Sequence, residues 1–157
     1  MSAEKVDAIA NTVPEAIKSS GKLIVGVNIP YAPNEFKDAG GKIVGFDVDL
    51  MNAVASTLGL TVDYRESDFA KIIPSIQQGT YNVGMSSFTD TKEREQTVDM
   101  VTYLTAGTGF YTTAANPTEV ETVADLCGKK VAVQKGTTQQ EDVEAQNKKC
   151  DQPIDLQ

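Results

Sequence analysis

The residues best suited to chemistry lie in one stretch, Ser86-Ser87-Phe88-Thr89-Asp90-Thr91-Lys92-Glu93-Arg94. It holds several hydroxyls, two acids and a guanidinium. An arginine fork matches a carboxylate in a bidentate way that a lysine ammonium does not. The short apolar run Tyr81 to Met85 before it reads as a buried strand. Asp90, three residues ahead of Glu93, has the spacing of a capping box and predicts a helix opening near Thr91. Backbone donors at the start of that helix and Arg94 leaning over them would form a carboxylate clamp. A capped surface helix carrying a solvated arginine is the plainer reading of the same residues.

The elements that must position this stretch repeat the same unit. Leu23 to Val27 is a β-rich run emptying into Asn28-Ile29-Pro30-Tyr31-Ala32-Pro33-Asn34-Glu35-Phe36, a loop stiffened by two prolines. Lys42-Ile43-Val44 reads as a hairpin return. Phe46, Leu50, Val54 and Leu58 recur every four residues and predict a helix buried along that stripe, with Asp47 and Asp49 in its first turn and Gly59 past its end. Leu60 to Tyr64 is a second strand ending at Ser67-Asp68-Phe69. Pro74 is expected to open a short helix stopped by Gly79. Strand, loop, helix, three times over, calls for a parallel sheet with helices on both faces. Its strand-end loops would bring Asn28 and Tyr31, Phe69, and Ser86 to Arg94 to one place.

Val98 to Val101 and Thr108 to Thr113 alternate as strands, and 114–117 reads as a hinge. A short helix over Val120 to Leu126, a strand at Lys130 to Val133 and a polar helix from about Gln139 to Lys149 follow. One strand and a polar helix are too little to bury a core. The expected organisation is an amphipathic strap over 1–21, an α/β lobe over 22–113, the hinge, and the incomplete start of a second α/β lobe over 118–157.

Composition removes several function classes. With 157 residues and 40% hydrophobic content the chain can bury a core, and 14 basic against 22 acidic residues leave a formal charge of -8. That balance argues against nucleic acid and anionic membranes as partners. With no histidine and no Cys-x-x-Cys pair, neither a transition-metal site nor a histidine triad is expected, and no cofactor is implied. The opening residues hold no apolar signal core; for an exported protein the leader would be absent from this chain. Cys127 and Cys150 are compatible with one disulfide in an oxidising compartment, worth roughly 3 kcal/mol for such a loop, or with two free thiols.

Several spaced segments together resemble the family 3 extracellular solute-binding proteins, amino-acid receptors of bacterial ABC importers. They are Gly45-Phe46-Asp47-Val48-Asp49-Leu50, Ile72-Ile73-Pro74-Ser75-Ile76-Gln77-Gln78-Gly79, Phe88-Thr89-Asp90-Thr91-Lys92-Glu93-Arg94, and Lys130-Val131-Ala132-Val133-Gln134-Lys135-Gly136-Thr137-Thr138. The resemblance covers about Lys22 to Cys150 and implies a type II periplasmic-binding-protein-like fold, two α/β lobes around a ligand cleft. Cys127 and Cys150 sit as in the actinobacterial branch, where a disulfide there would suit an extracytoplasmic protein.

By motif position, the resemblance implies that Arg94 grips an α-carboxylate with help from Thr89 and Thr138. Ser86 and Ser87 would meet the α-amino and carboxylate groups. Tyr31 and Phe69 would sandwich the side chain, with Asn28 and Gln134 at its polar end. A polar or charged L-amino acid delivered to an ABC permease is the function implied. The second lobe is expected to be truncated, so binding would be weak and exposed apolar surface would favour self-association. Two alternatives share the fold: an arogenate or prephenate dehydratase with a carboxylate acid such as Glu35, and the ligand-sensing module of a receptor.

Overall fold

The computed structural model describes residues 3–115 and 117–157. Two compact units divide it, Met1–Val101 and Thr102–Gln157. In the first, α1 (Asp7–Ala10) and α2 (Glu15–Ser20) precede β1 (Lys22–Val27), β2 (Phe36–Lys37), β3 (Ile43–Val44), α3 (Phe46–Thr57), β4 (Thr61–Glu66), α4 (Phe69–Gln77) and β5 (Val83–Gly84). The second holds β6 (Lys130–Val131), α5 (Thr138–Asn147) and β7 (Asp155–Leu156).

β1 is the centre of a parallel sheet of order β4-β1-β5. All six of its residues pair with β4, from Lys22 against Thr61 to Val27 against Glu66, and Val25 and Gly26 pair with Val83 and Gly84 of β5. Leu23, Val25 and Val27 alternate along β1, so they share one face and are buried there, whereas Lys22 at the start of the strand is exposed. Register assigns the two faces. Tyr64 lies beside Val25, and its hydroxyl reaches Val48 O of α3 at 2.9 Å, so α3 covers that face. Gly26 and Gly84 point the other way, toward α4. A Cβ on Gly84 would stand 2.5 Å from Cγ2 of the fully buried Ile72, and one on Gly26 2.5 Å from the Tyr81 ring. This pair of glycines lets α4 settle against the backbone.

Several expectations change. The buried face of α3 is Asp47, Val48, Met51 and Ala55, whereas Phe46 and Val54 are exposed. A spacing of strictly four residues drifts around a 3.6-residue helix, so the three-and-four spacing of Val48, Met51 and Ala55 follows the core more faithfully. α4 opens at Phe69, not at Pro74, which lies inside it. Pro74 removes one hydrogen bond there, and burial of Ile72 against the two glycines offsets that cost. β5 has two residues instead of five because side chains take over the ladder at both ends. Asn82 Oδ1 accepts from Ile24 N at 2.8 Å, and Ser86 Oγ accepts from Asn28 N at 3.0 Å.

No helix opens at Thr91: a single 3₁₀ turn forms over Arg94–Gln96. The Thr91 hydroxyl, not Asp90, takes Arg94 N at 3.2 Å, and Thr97 closes on Arg94 O from both its amide and its hydroxyl. Val98 to Val101 and Thr108 to Thr113 form no strand among the described residues; Val101 is 86% and Tyr111 97% exposed, so alternation there answers to no sheet face. Within the N-terminal strap, Ala10 is buried while Val6 and Ile9 are exposed, and Val6 N bonds Thr57 O at 3.0 Å. The hinge expected over 114–117 includes residue 116, which lies outside the described residues.

The second unit has a small core after all. Leu126, Val143 and Ile154 are buried, with Val120, Val123, Val131, Cys150 and Leu156 packed around them. Two features make that possible. β7 supplies a parallel partner for β6, and a Cys127–Cys150 disulfide with Cα atoms 5.5 Å apart closes the unit. The helix expected over Val120 to Leu126 is a 3₁₀ turn, Val123–Leu126, opened by a Thr122/Asp125 capping box. Backbone and side-chain hydrogen bonds from Thr122 hold the Asp125 carboxyl below its usual range.

Candidate functional site

The strand ends of β1, β4 and β5 carry the candidate residues of the first unit. Loop 28–36 folds on itself through Tyr31 N to Glu35 O at 2.7 Å and Glu35 N to Tyr31 O at 3.0 Å. It is stitched to α3 because Phe46 N and Asp47 N, donors without partners inside the helix, bond Pro33 O and Asn34 O at 3.1 and 3.0 Å. Only glycine fits at the junction: Gly45 has φ 134°, and a Cβ there would lie 2.1 Å from Asn34 O. The loop is therefore a fixed wall, and Tyr31, 52% exposed, stands at its rim.

Beneath that wall lies a buried polar network that joins three elements. Ser86 is buried; its hydroxyl accepts from Asn28 N and donates to Glu35 Oε1. Ser87 has φ 51°, in the left-handed region that serine seldom occupies. Its hydroxyl accepts from Asn34 Nδ2 at 2.7 Å and donates to Asp47 Oδ2 at 3.2 Å. Asn28 uses its side-chain amide on Ser67 O at 2.8 Å, tying β1's end to β4's. Glu35 and Asp47 are both fully buried, at 0% and 1% exposure. Burial foremost, together with the facing Asp47 carboxylate, pushes Glu35 up to about 8, against the opposing pull of the Ser86 hydroxyl.

The clamp end is aromatic. Phe69 and Phe88 stack with centroids 4.2 Å apart at 18°, and the Arg94 guanidinium lies 5.4 Å from the Phe88 centroid and 5.9 Å from that of Phe69. Arg94 Nη1 also donates to Thr89 O at 2.7 Å. A guanidinium steadied by the stacked ring pair and a carbonyl is oriented without a long helix beneath it. The clamp thus rests on side chains, not on the helix dipole the sequence suggested. Beside it, an open polar groove of about 470 Å³ is lined by Asn28, Ile29, Glu66, Ser67, Asp68 and Lys71. Its carboxylates are paired at the surface, Asp68 with Lys71 at 2.6 Å and Glu66 with Lys37 at 2.5 Å.

Asn28, Phe69, Ser86, Ser87, Thr89 and Arg94 are thus interlocked at one end of the sheet. The Ser86 hydroxyl stands in for a ladder carbonyl at Asn28 N and also engages Glu35. Gln134 and Thr138 belong to the second unit. There Gln134 O accepts from the Thr137 hydroxyl at 2.7 Å, Thr138 is the first residue of α5, and Thr137 caps that helix by accepting from Gln140 N at 3.2 Å. Sequence reasoning passed over Asn34, Asp47 and Phe88 as site residues and weighed Glu35 only as an acid catalyst. Phe88, an aromatic inside the clamp stretch, was the one with a visible signal.

Among the described residues no group of histidine, cysteine or acidic side chains is arranged to hold a metal, and no helix is long and apolar enough to cross a membrane. Residues 23–153 match the family model for bacterial extracellular solute-binding proteins, family 3. An arginine-binding protein, ArgT, of Corynebacterium glutamicum is 40% identical over 152 residues, which is 94% of this chain and 49% of that protein. Among solved structures, the ancestral amino acid-binding protein AncCDT-1, a precursor of cyclohexadienyl dehydratase, is similar with TM-score 0.80 and 35% identity over 91% of this chain and 63% of that one. The arginine-bound domain 1 of an arginine-binding protein, TmArgBP, is 39% identical over 54% of this chain and 67% of that one, with TM-score 0.51. The chain spans about half the length of the curated relatives it matches. Parallel sheet, family model and relatives agree: this chain belongs to the bacterial extracellular solute-binding proteins, family 3.

Proposed function

We propose that the chain carries an amino-acid site of an extracytoplasmic receptor that serves an ABC importer, and that its ligand is a cationic L-amino acid such as arginine. The observation that carries this reading is Arg94 held over the stacked Phe69 and Phe88 at the strand ends. The guanidinium takes the α-carboxylate, with Thr89 and Ser87 beside it. Phe69 and Tyr31 flank the side chain. The groove running from Asn28 past Glu66 and Asp68 is polar, and a cationic end entering it would replace Lys37 and Lys71 as the surface partners of those carboxylates. Support for the cation comes from the name of ArgT, and support for binding by one lobe from the arginine-bound domain 1. Gln134 and Thr138 remain assigned to the same ligand as part of this proposal.

Capture and delivery need no chemistry on the ligand, and the reading is of a binding protein, not an enzyme. A dehydratase would need an acid within hydrogen-bond reach of substrate. Glu35, the carboxyl considered for that part, is fully buried and engaged by Ser86 and Asp47. AncCDT-1, the relative whose description mentions a dehydratase, is itself described as an amino acid-binding protein. Association of the chain with itself through the exposed Val101, Leu104, Phe110 and Tyr111 is part of the proposal, checked by elution across a concentration series.

The test is a two-dimensional amide NMR titration with a panel of L-amino acids, which detects millimolar binding. Shifts at Ser87, Thr89, Arg94 and the loops of Tyr31 and Phe69, largest for L-arginine and lost in Arg94→Ala, are expected. Arg94→Lys, which keeps the charge but not the fork, should weaken binding tenfold or more, about 1.4 kcal/mol. A well-dispersed spectrum indifferent to every amino acid would refute the reading.

A further inference from the structure

The buried network under the loop does something that capture alone does not require. Glu35 comes from loop 28–36, Asp47 from the first turn of α3, and Ser86 and Ser87 from the end of β5, so three elements meet at one carboxyl pair. Glu35 Oε1 accepts from Ser86, but Glu35 Oε2 is buried and receives no hydrogen bond from any donor. A carboxylate oxygen sealed from water without a donor is costly, and one proton removes the problem. Protonated at Oε2, Glu35 becomes a donor, and the acceptor it faces is the Asp47 carboxylate.

We propose that Glu35 is a positioning residue for the amino-acid site: as a neutral carboxylic acid donating to Asp47, it holds loop 28–36, the start of α3 and the Ser86–Ser87 strand end in one arrangement. The inference rests on the amino-acid reading given above. Loss of the proton would leave two buried negative carboxyls facing each other. The relief available is movement of the loop, which carries Asn28, Tyr31 and Asn34, away from α3. Ser87 follows, because its hydroxyl is shared between Asn34 and Asp47 and its φ of 51° persists only while both hold it.

The charges around Glu35 all push the same way. Asp47 acts on it directly, and Asp47 and Asp49 of α3 act on Tyr64 of β4, whose own ionisation burial and both aspartates suppress. Ser86 and Ser87 on the β5 side contribute hydroxyls only, and among the described residues Glu35 has no ion pair. The folded protein therefore keeps the proton at neutral pH, at a midpoint of about 8.

The experiment follows the whole chain from pH 6 to 8.5 by carboxyl-carbon and amide NMR, with L-arginine affinity measured at each pH. Glu35 should titrate near pH 8, and the Asn34, Ser86 and Ser87 amides should move with the same midpoint. A site competent only when Glu35 is protonated loses about fourfold in affinity across that range, since such a group is about three-quarters ionised at pH 8.5. Glu35→Gln, which accepts from Ser86 and donates to Asp47 at every pH, should abolish the dependence, and Glu35→Ala should weaken binding at every pH. The Gln variant also subtracts the titration of the ligand's own amino group. Glu35 titrating in the ordinary carboxylate range, or strand-end amides that ignore its midpoint, would overturn the proposal. If those amides follow Glu35 but arginine binds at no pH, the positioning role stands and the amino-acid reading fails.

Discussion

The Arg94 guanidinium lies 5.4 Å from the centroid of the Phe88 ring and 5.9 Å from that of Phe69, beside a stacked pair whose centroids are 4.2 Å apart. Phe88 thus fixes two groups at once, the cation proposed to take a carboxylate and the aromatic proposed to flank a side chain. Phe88→Leu keeps apolar bulk but removes the ring quadrupole. It should weaken amino-acid binding about three- to tenfold, as expected for losing about 0.5–1 kcal/mol of cation–π attraction plus part of the stacking. Isothermal titration checks this, with unchanged thermal unfolding as the control that the fold survives.

The Glu35 carboxyl makes stability depend on pH in a defined direction. Its midpoint rises from about 4.5 unfolded to about 8 folded, so the folded chain binds more protons between those values. The contribution is fully present below pH 4.5 and is lost as pH rises through 8, by at most about 1.4 kcal/mol per pH unit. Urea unfolding at pH 5, 6.5 and 8 should show this decline in the wild type. Glu35→Gln should flatten it.

The disulfide closes a unit whose core is only three buried side chains with a partly buried rim. The paired variant Cys127→Ala with Cys150→Ala should lose about 3 kcal/mol from the second unit, by the entropy of a loop of this length. Hydrogen exchange resolves the two units, and faster exchange confined to α5, β6 and β7 is expected. Equal loss of protection in β1 and β4 would contradict it.

Gly45→Ala tests the junction of wall and helix. Its φ of 134° and a Cβ site 2.1 Å from Asn34 O require the backbone to move. A cost of about 1–3 kcal/mol for the strained residue is expected, with the Phe46 and Asp47 amides losing exchange protection first. Thermal unfolding and exchange measure the two effects.

What the sequence determined by itself was local: β1, β4, the loop stiffened by prolines, the start of α3 and the polar helix α5 follow from periodicity and turn chemistry within a dozen residues. The helix expected at Thr91 and the strands expected at Val98 to Val101 and Thr108 to Thr113 do not form among the described residues. The resemblance of spaced motifs supplied the family. What only the tertiary structure decided depends on partners far along the chain. Asp47 reads as a residue for the helix dipole until Ser87, forty positions away, turns it inward. That the Ser86 hydroxyl joins β1's Asn28 to the loop's Glu35 is equally invisible in the local sequence. Phe88 is visible only as an aromatic inside the stretch from Ser86 to Arg94 until α4 places Phe69 against it. The second unit's core waits on β7, the last element of the chain. Local patterns encode which backbone forms. The proton on Glu35 depends on which buried groups meet, and that is settled only when three separate elements close over it.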